Sequence, residues 1–244
     1  MAGKTYVLLH GAFHGAWCWR DVAERLRAAG HRVTTPTQTG LGERAHLLSA
    51  QITLDTFVED VVRHLEAEEL EDVVLVGHSF GGNGISGAAD RVPGRIRHLV
   101  YLDAMILEDG QTPWGRMRPE VAAERRRLVA EQGAGIVAPP PPVSAFGVPE
   151  DHPLAPWVRR RLTPHPAGTY RTPLRLGGPV GNGLPCTYIA CSAPWYAPLD
   201  WARDWVRARP ASGGEGWSWQ EIATGHDAMV TAPEELARML AAIG

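Results

Sequence analysis

The sequence predicts an α/β fold, a mostly parallel sheet of about six strands flanked by helices and carrying one helical insertion. Three observations predict it. Short apolar runs alternate with longer amphipathic stretches along most of the chain. The run Val73–Val76 is apolar without alternation, as expected for a parallel strand buried on both faces. One long stretch, residues 104–183, breaks the rhythm and offers no strand pattern.

Taken in order, Tyr6–Leu9 reads as the first strand. Ala16–Ala29 is an amphipathic helix stopped by Gly30, which takes the left-handed conformation that ends helices. His31–Thr35 is the second strand. Thr53–Glu68 carries Leu54, Phe57, Val58, Val61, Val62 and Leu65 at helical spacing. The strand Val73–Val76 follows, then a helix after Ser79, then the strand Ile96–Leu102. Beyond residue 183 the pattern gives a strand near Thr187–Ala190, a helix from Leu199, a strand around Trp219–Ile222 and a last helix over Pro233–Ile243. Strand–helix alternation of this kind implies right-handed crossovers and helices on both faces of the sheet.

The stretch 104–183 holds the proline run Pro139–Pro142 and a charged helix around Glu120–Gln132. Its Trp114, Phe146, Trp157 and Tyr170 need apolar neighbours, so it reads as a cap over a core formed by residues 1–103 and 184–244. The proline run reads as a stiff surface turn.

With 244 residues the chain suits one large domain. A net charge of −3 argues against nucleic acid or a polyanion as partner. Three cysteines cannot all pair, and their spacing fits no zinc pattern, so reduced thiols and a cytoplasmic location are expected. No leader-like segment precedes the first strand, and no apolar run reaches the ~20 residues of a membrane span. No metal or other cofactor is expected, because no His/Cys/Asp group has ligand spacing.

The chemistry centres on Gly77-His78-Ser79-Phe80-Gly81, a G-x-S-x-G pattern directly after a strand and before a helix. That is the setting of the nucleophile turn in an α/β-hydrolase fold, with Ser79 as nucleophile. His10-Gly11-Ala12-Phe13-His14-Gly15 follows the first strand, where such folds place a second oxyanion donor, so the amides of Ala12 and Phe80 are the expected pair. His226, in a loop after the last strand, is the expected general base. Asp103 closes the strand Ile96–Leu102 at the edge where the site should form, and a half-buried carboxylate there needs a partner. It is the leading candidate for the acid. Asp200 is the alternative, and a water-bridged group a third option. Phe13, His14, Trp114 and His165 are candidates for the pocket.

The segments VLLHGAFHGAWCW, GLGERAHL, VGHSFGG, LVYLDAM, LTPHPAGTY and TGHDAMVTAPEEL, spread over nearly the whole chain, make the sequence resemble bacterial relatives of the plant methylesterase and hydroxynitrile lyase family. The resemblance implies a cofactor-free Ser/His/Asp enzyme with a helical cap, a mostly apolar pocket and small ester substrates. Two departures stand out. Plant members carry the acid shortly after the strand ending here near Cys191, yet Cys191–Tyr196 holds no carboxylate, which favours Asp103. The lyases have threonine and lysine where this chain has Gly11 and Asp227, and an aspartate would repel a departing cyanide.

The leading expectation is therefore a carboxylic ester hydrolase acting on a small ester, an aromatic one being an option. The alternatives are lyase, cyclase or lactone chemistry in the same pocket and, with less support, a small-molecule binding protein that kept the fold. Haloalkane dehalogenase and epoxide hydrolase chemistry would need a carboxylate at position 79. Oligomeric state is open, a homodimer being one option.

Overall fold

The computed structural model describes residues 3–209 and 216–243. Its strands are β1 (Thr5–Leu9), β2 (Arg32–Thr34), β3 (Val73–His78), β4 (Ile96–Leu102), β5 (Val137–Ala138), β6 (His165–Pro166), β7 (Cys186–Cys191) and β8 (Trp217–Ile222). Six of them form one sheet in the order β2-β1-β3-β4-β7-β8, every neighbouring pair parallel. The helices are α1 (Arg20–Ala28), α2 (Leu54–Ala67), α3 (Gly81–Arg91), α4 (Pro113–Arg116), α5 (Pro119–Gln132), α6 (Ala155–Arg159), α7 (Gly168–Arg171), α8 (Asp200–Arg207), α9 (Ala228–Thr231) and α10 (Pro233–Ala242).

Alternate residues of each strand point to opposite faces. Val7, Leu9, Leu75, Tyr101 and Tyr188 pack with α2, α3 and α8. Tyr6, Leu8, Val74, Val76 and Leu102 pack with α1 and α10. Every residue of β3 is buried, which is why its sequence shows no alternation. The apolar face of α2 supplies Leu54, Phe57, Val58, Val61, Val62 and Leu65, and Thr53 caps the helix reciprocally with Thr56.

Register decides where the site can form. His78 is paired with Leu102, and Leu102 with Ile189, so β3, β4 and β7 end side by side. The residues that follow β3 and β4, Ser79 and Asp103, therefore emerge as neighbours at the carboxyl edge of the sheet.

Three expectations need correction. The helix expected over Ala16–Ala29 is a 3₁₀ turn, Ala16–Trp19, followed by α1. His31 lies outside β2, its Nδ1 accepting the Lys4 amide N–H instead of extending the strand. The stretch 104–183 is not free of strands, since β5 and β6 pair antiparallel; two residues each are too few to show a period of two. Among the described residues no helix is long and apolar enough to cross a membrane.

Candidate active site

The turn after β3 is too tight for side chains two residues to either side of Ser79. A Cβ on Gly77 would stand 2.8 Å from the Gly81 carbonyl oxygen, and one on Gly81 would stand 2.7 Å from that of His10. Glycine at both places lets the strand, α3 and the β1 loop close on one another. Ser79 takes a left-handed φ of +53°, strained for a residue with a Cβ. Three hydrogen bonds hold it there: its N–H donates to Leu102 O at 3.1 Å, and its C=O accepts from Met105 N–H at 2.9 Å and from Gly82 N–H at 3.2 Å.

His226 lies in the loop between β8 and α9. Its Nε2 is 2.9 Å from Ser79 Oγ and its Nδ1 is 2.7 Å from Asp103 Oδ2. A carboxylate oxygen accepts, so Nδ1 carries the proton and Nε2 is left to accept from the serine hydroxyl. Tyr196 stacks on the imidazole, with ring centroids 4.1 Å apart and planes 19° apart. Asp200, the other candidate acid, accepts from Trp195 Nε1 and from Arg203 Nη1 and makes no bond to His226.

Asp103 is fully buried, not half-buried as expected. Its second oxygen, Oδ1, accepts from Arg203 Nη2 at 2.6 Å, from Arg203 Nε at 3.2 Å and from Cys191 N–H at 3.3 Å. Arg203 on α8 is fully buried too and also donates to the carbonyls of Tyr196 and Cys191. Sequence reasoning missed this guanidinium. The available signal was the carboxylate itself: two buried oxygens need more donors than one imidazole supplies.

Ser79 opens into a cavity of about 360 Å³ bordered by Ala12, Phe13, Phe80, Phe146 and Tyr170 among others. Among the described residues the amides of Ala12 and Phe80 donate no hydrogen bond, so both remain free to serve an oxygen beside Ser79. Of the four candidate pocket residues only Phe13 borders the cavity. His14 and His165 stand behind the wall because both are bonded to the peptide joining Ala12 and Phe13. His14 Nδ1–H donates to Ala12 O at 2.7 Å, and His165 Nδ1 accepts from Phe13 N–H at 3.3 Å. Trp114 lies outside the cavity lining and stacks on Tyr170.

The two histidines are shifted in opposite directions. Burial pulls His14 down, but the charge and hydrogen bond of Asp227, 2.9 Å from Nε2, more than offset it and the group is raised. Burial holds His165 well below its ordinary value, with the charges of His10 and Arg125 adding to the effect. Asp227 thus faces His14, not the cavity. Among the described residues no group of three or more His, Cys, Asp or Glu side chains is placed to hold a metal ion.

Comparison with known proteins matches residues 6–239 to the model of the alpha/beta hydrolase family. A carbendazim-hydrolysing esterase of Nocardioides sp. (strain SG-4G) is 42% identical over 98% of this chain and 99% of its own. Methylesterase 3 of Arabidopsis thaliana is 36% identical over 48% of this chain and 47% of its own. Among solved structures, an extracellular alpha/beta-hydrolase from a Paenibacillus species superposes with a TM-score of 0.80 at 23% identity, covering 99% of each chain. A pyrethroid hydrolase from Sphingobium faniae JZ-2 superposes with a TM-score of 0.74 at 21% identity, over 98% of this chain and 96% of that one.

Proposed function

We propose that this chain, which belongs to the alpha/beta hydrolase family, is a carboxylic ester hydrolase working through an acyl-enzyme on Ser79. The observation that carries the reading is the unbroken line Asp103 Oδ2, His226 Nδ1 and Nε2, Ser79 Oγ, with steps of 2.7 and 2.9 Å, ending at a cavity.

Ser79 Oγ attacks the ester carbonyl carbon while His226 Nε2 takes its proton. Asp103 keeps Nδ1–H in place and balances the imidazolium that forms. The amides of Ala12 and Phe80 receive the developing oxyanion; one such donor typically contributes ~10²–10³ in rate. His226 returns the proton to the leaving alcohol. Water, activated by the same imidazole, then releases the acid from Ser79. Each step uses only groups of this chain and water.

Residues 104–183 act in this reading as a cap, and residues 1–103 and 184–244 as the catalytic core. The cap supplies Phe146 and Tyr170, the core Phe13 and Phe80, so a small ester with an aromatic or apolar body suits the cavity. Carbendazim, which the 42%-identical relative hydrolyses, is a natural first substrate beside simple chromogenic esters.

The test is Ser79→Ala. Folded Ser79→Ala protein should lose at least ~10³-fold in ester turnover, and an organophosphonate should add once to the wild type, on Ser79. Turnover near wild type, or an adduct only elsewhere, would overturn the assignment.

A further inference from the structure

Apart from Ser79, Arg125 and two tyrosines, the described residues that line the cavity are apolar. Arg125, on α5, is the one charged side chain bordering the cavity, and among the described residues it has no carboxylate partner and no hydrogen bond. The arginines beside it in sequence differ: Arg127 is held by Glu124 and Glu131, and Arg126 lies over the Trp114 ring. The Arg125 guanidinium lies over the Phe13 ring, 5.4 Å from its centroid.

Two phenols border the same cavity within reach of the Arg125 charge. Tyr170 and Tyr196 both border the cavity, and among the described residues neither hydroxyl has a hydrogen-bond partner. Burial raises both, Tyr196 to about 12, although the nearby charge of Arg125 opposes it. Both therefore stay protonated and able to donate. A guanidinium and two hydroxyls without acceptors form a donor-rich wall in a cavity that, among the described residues, holds no anionic side chain. Such donors are costly to leave unpaired when a ligand displaces water, and a carboxylate accepts several at once.

We propose that the ester taken by Ser79 carries a free carboxylate at its far end, received by Arg125 with Tyr170 and Tyr196: the substrate is a half-ester of a dicarboxylic acid or an ester similarly charged. The proposal rests on the serine-esterase reading and narrows it from small esters to anionic ones. A guanidinium meets a carboxylate through paired N–H donors, which also fixes the ester's orientation toward Ser79.

The experiment compares 4-nitrophenyl half-esters of adipic, pimelic and suberic acids with the same compounds capped as methyl esters. In these longer chains the remote carboxylate is too far away to expel nitrophenolate through a five- or six-membered cyclic anhydride, so, with uncatalysed rates subtracted, the two sets differ in charge at the remote end and little in reactivity at the nitrophenyl ester. In the wild type at least one half-ester should exceed its capped partner in kcat/KM by ~10–100-fold, the range expected for hydrogen bonds to a charged group. Arg125→Met should reduce that ratio to ~2-fold or less, Arg125→Lys should keep part of it, and Tyr170→Phe and Tyr196→Phe should each lower it by a smaller factor. One organophosphonate adduct per chain on each variant would show that its site is assembled. If capped esters react as fast as half-esters at every length, or if Arg125→Met keeps the ratio, the proposal is wrong while the esterase reading stands. If neither set is hydrolysed, the esterase reading has failed.

Discussion

Arg203 offers a test of how the candidate acid is kept in place. Arg203→Met keeps a long apolar stem but removes the guanidinium. Asp103 Oδ1 then loses donors at 2.6 and 3.2 Å, and the carbonyls of Tyr196 and Cys191 lose theirs at 2.9 and 3.3 Å. Both charged side chains are fully buried, so water does not replace what is lost. Removing one partner of a buried ion pair typically costs about 3–5 kcal/mol, because the other charge is left uncompensated. With a urea slope of about 2.5–3 kcal/mol per molar for a chain of this size, the midpoint should fall by about 1–2 M. Arg203→Met combined with Asp103→Asn should cost less than the sum of the two, with a coupling of about 0.5–3 kcal/mol. The assay is urea unfolding of the wild type, both single variants and the double variant at one pH. A midpoint within 0.3 M of wild type at about those slopes, or strict additivity in the double variant, would refute the claim that the pair is a structural unit.

Two further predictions follow from the same geometry. Asp103→Asn should keep the fold yet lower ester turnover by ~10³–10⁴, since an amide can hold the wrong tautomer of His226; a loss under tenfold, read by steady-state kinetics, would return the acid role to another group. Stability should fall with acid. Burial holds His10 down to about 3 and His78 and His165 well below the usual histidine range, so all three are neutral in the native state. A depressed folded pKa contributes stability above the unfolded pKa of about 6.5, and this is lost as pH falls below it. Between pH 7.0 and 5.5 each such group forfeits about 1.2 kcal/mol, together about 4. The raised His14 has the opposite sign, its contribution being fully present only below about 6.5, and it returns under about 1 kcal/mol over that interval. His31, His64 and His98 are lowered too and act in the same direction, so the histidines should give a loss of at least about 3 kcal/mol in urea midpoints measured at the two pH values, and equal or greater stability at pH 5.5 would contradict the neutral-histidine account.

What the sequence disclosed about this site was whatever depended on neighbours in the chain. Ser79 was legible because strand, glycine, serine, glycine and helix follow within a few residues. Asp103 was legible because an aspartate ending an apolar run is an anomaly that demands a partner. Arg203 was not, because α8 reads Asp-Trp-Ala-Arg-Asp-Trp-Val-Arg, and nothing in that string separates a fully buried guanidinium from one on the surface. The pairing of His14 with Asp227 joins residues 213 positions apart, beyond the reach of any local pattern. His165 was seen as a pocket residue; its position in the cap segment suggested it, and only the fold turns its ring toward the Phe13 amide. Helix ends and the two-residue ladder of β5 and β6 were lost for a simpler reason, since so few residues carry no period.

The way these pieces meet also accounts for the backbone strain around the site. Phe13, Ser79 and Asp103 take φ values of +68°, +53° and +41°, each unfavourable for a residue with a Cβ. They carry, respectively, the oxyanion turn, the nucleophile and the acid of the proposed mechanism. Each strained residue donates its own amide to a different element: Ser79 to Leu102 O on β4, Asp103 to Ile189 O on β7, and Phe13 to His165 Nδ1 at the start of β6. The first two anchors belong to the sheet and are as firm as its core. The third comes from residues 104–183, so the peptide of the oxyanion turn is tied to the same segment that carries Arg125. In the proposed mechanism the acid directly follows β4, which leaves the stretch after β7 free of that duty; that stretch places Tyr196 against the His226 ring and into the cavity wall. Substrate contacts and oxyanion geometry therefore share one support. A change in that segment that shifts His165 should disturb turnover even where it leaves Ser79, His226 and Asp103 untouched.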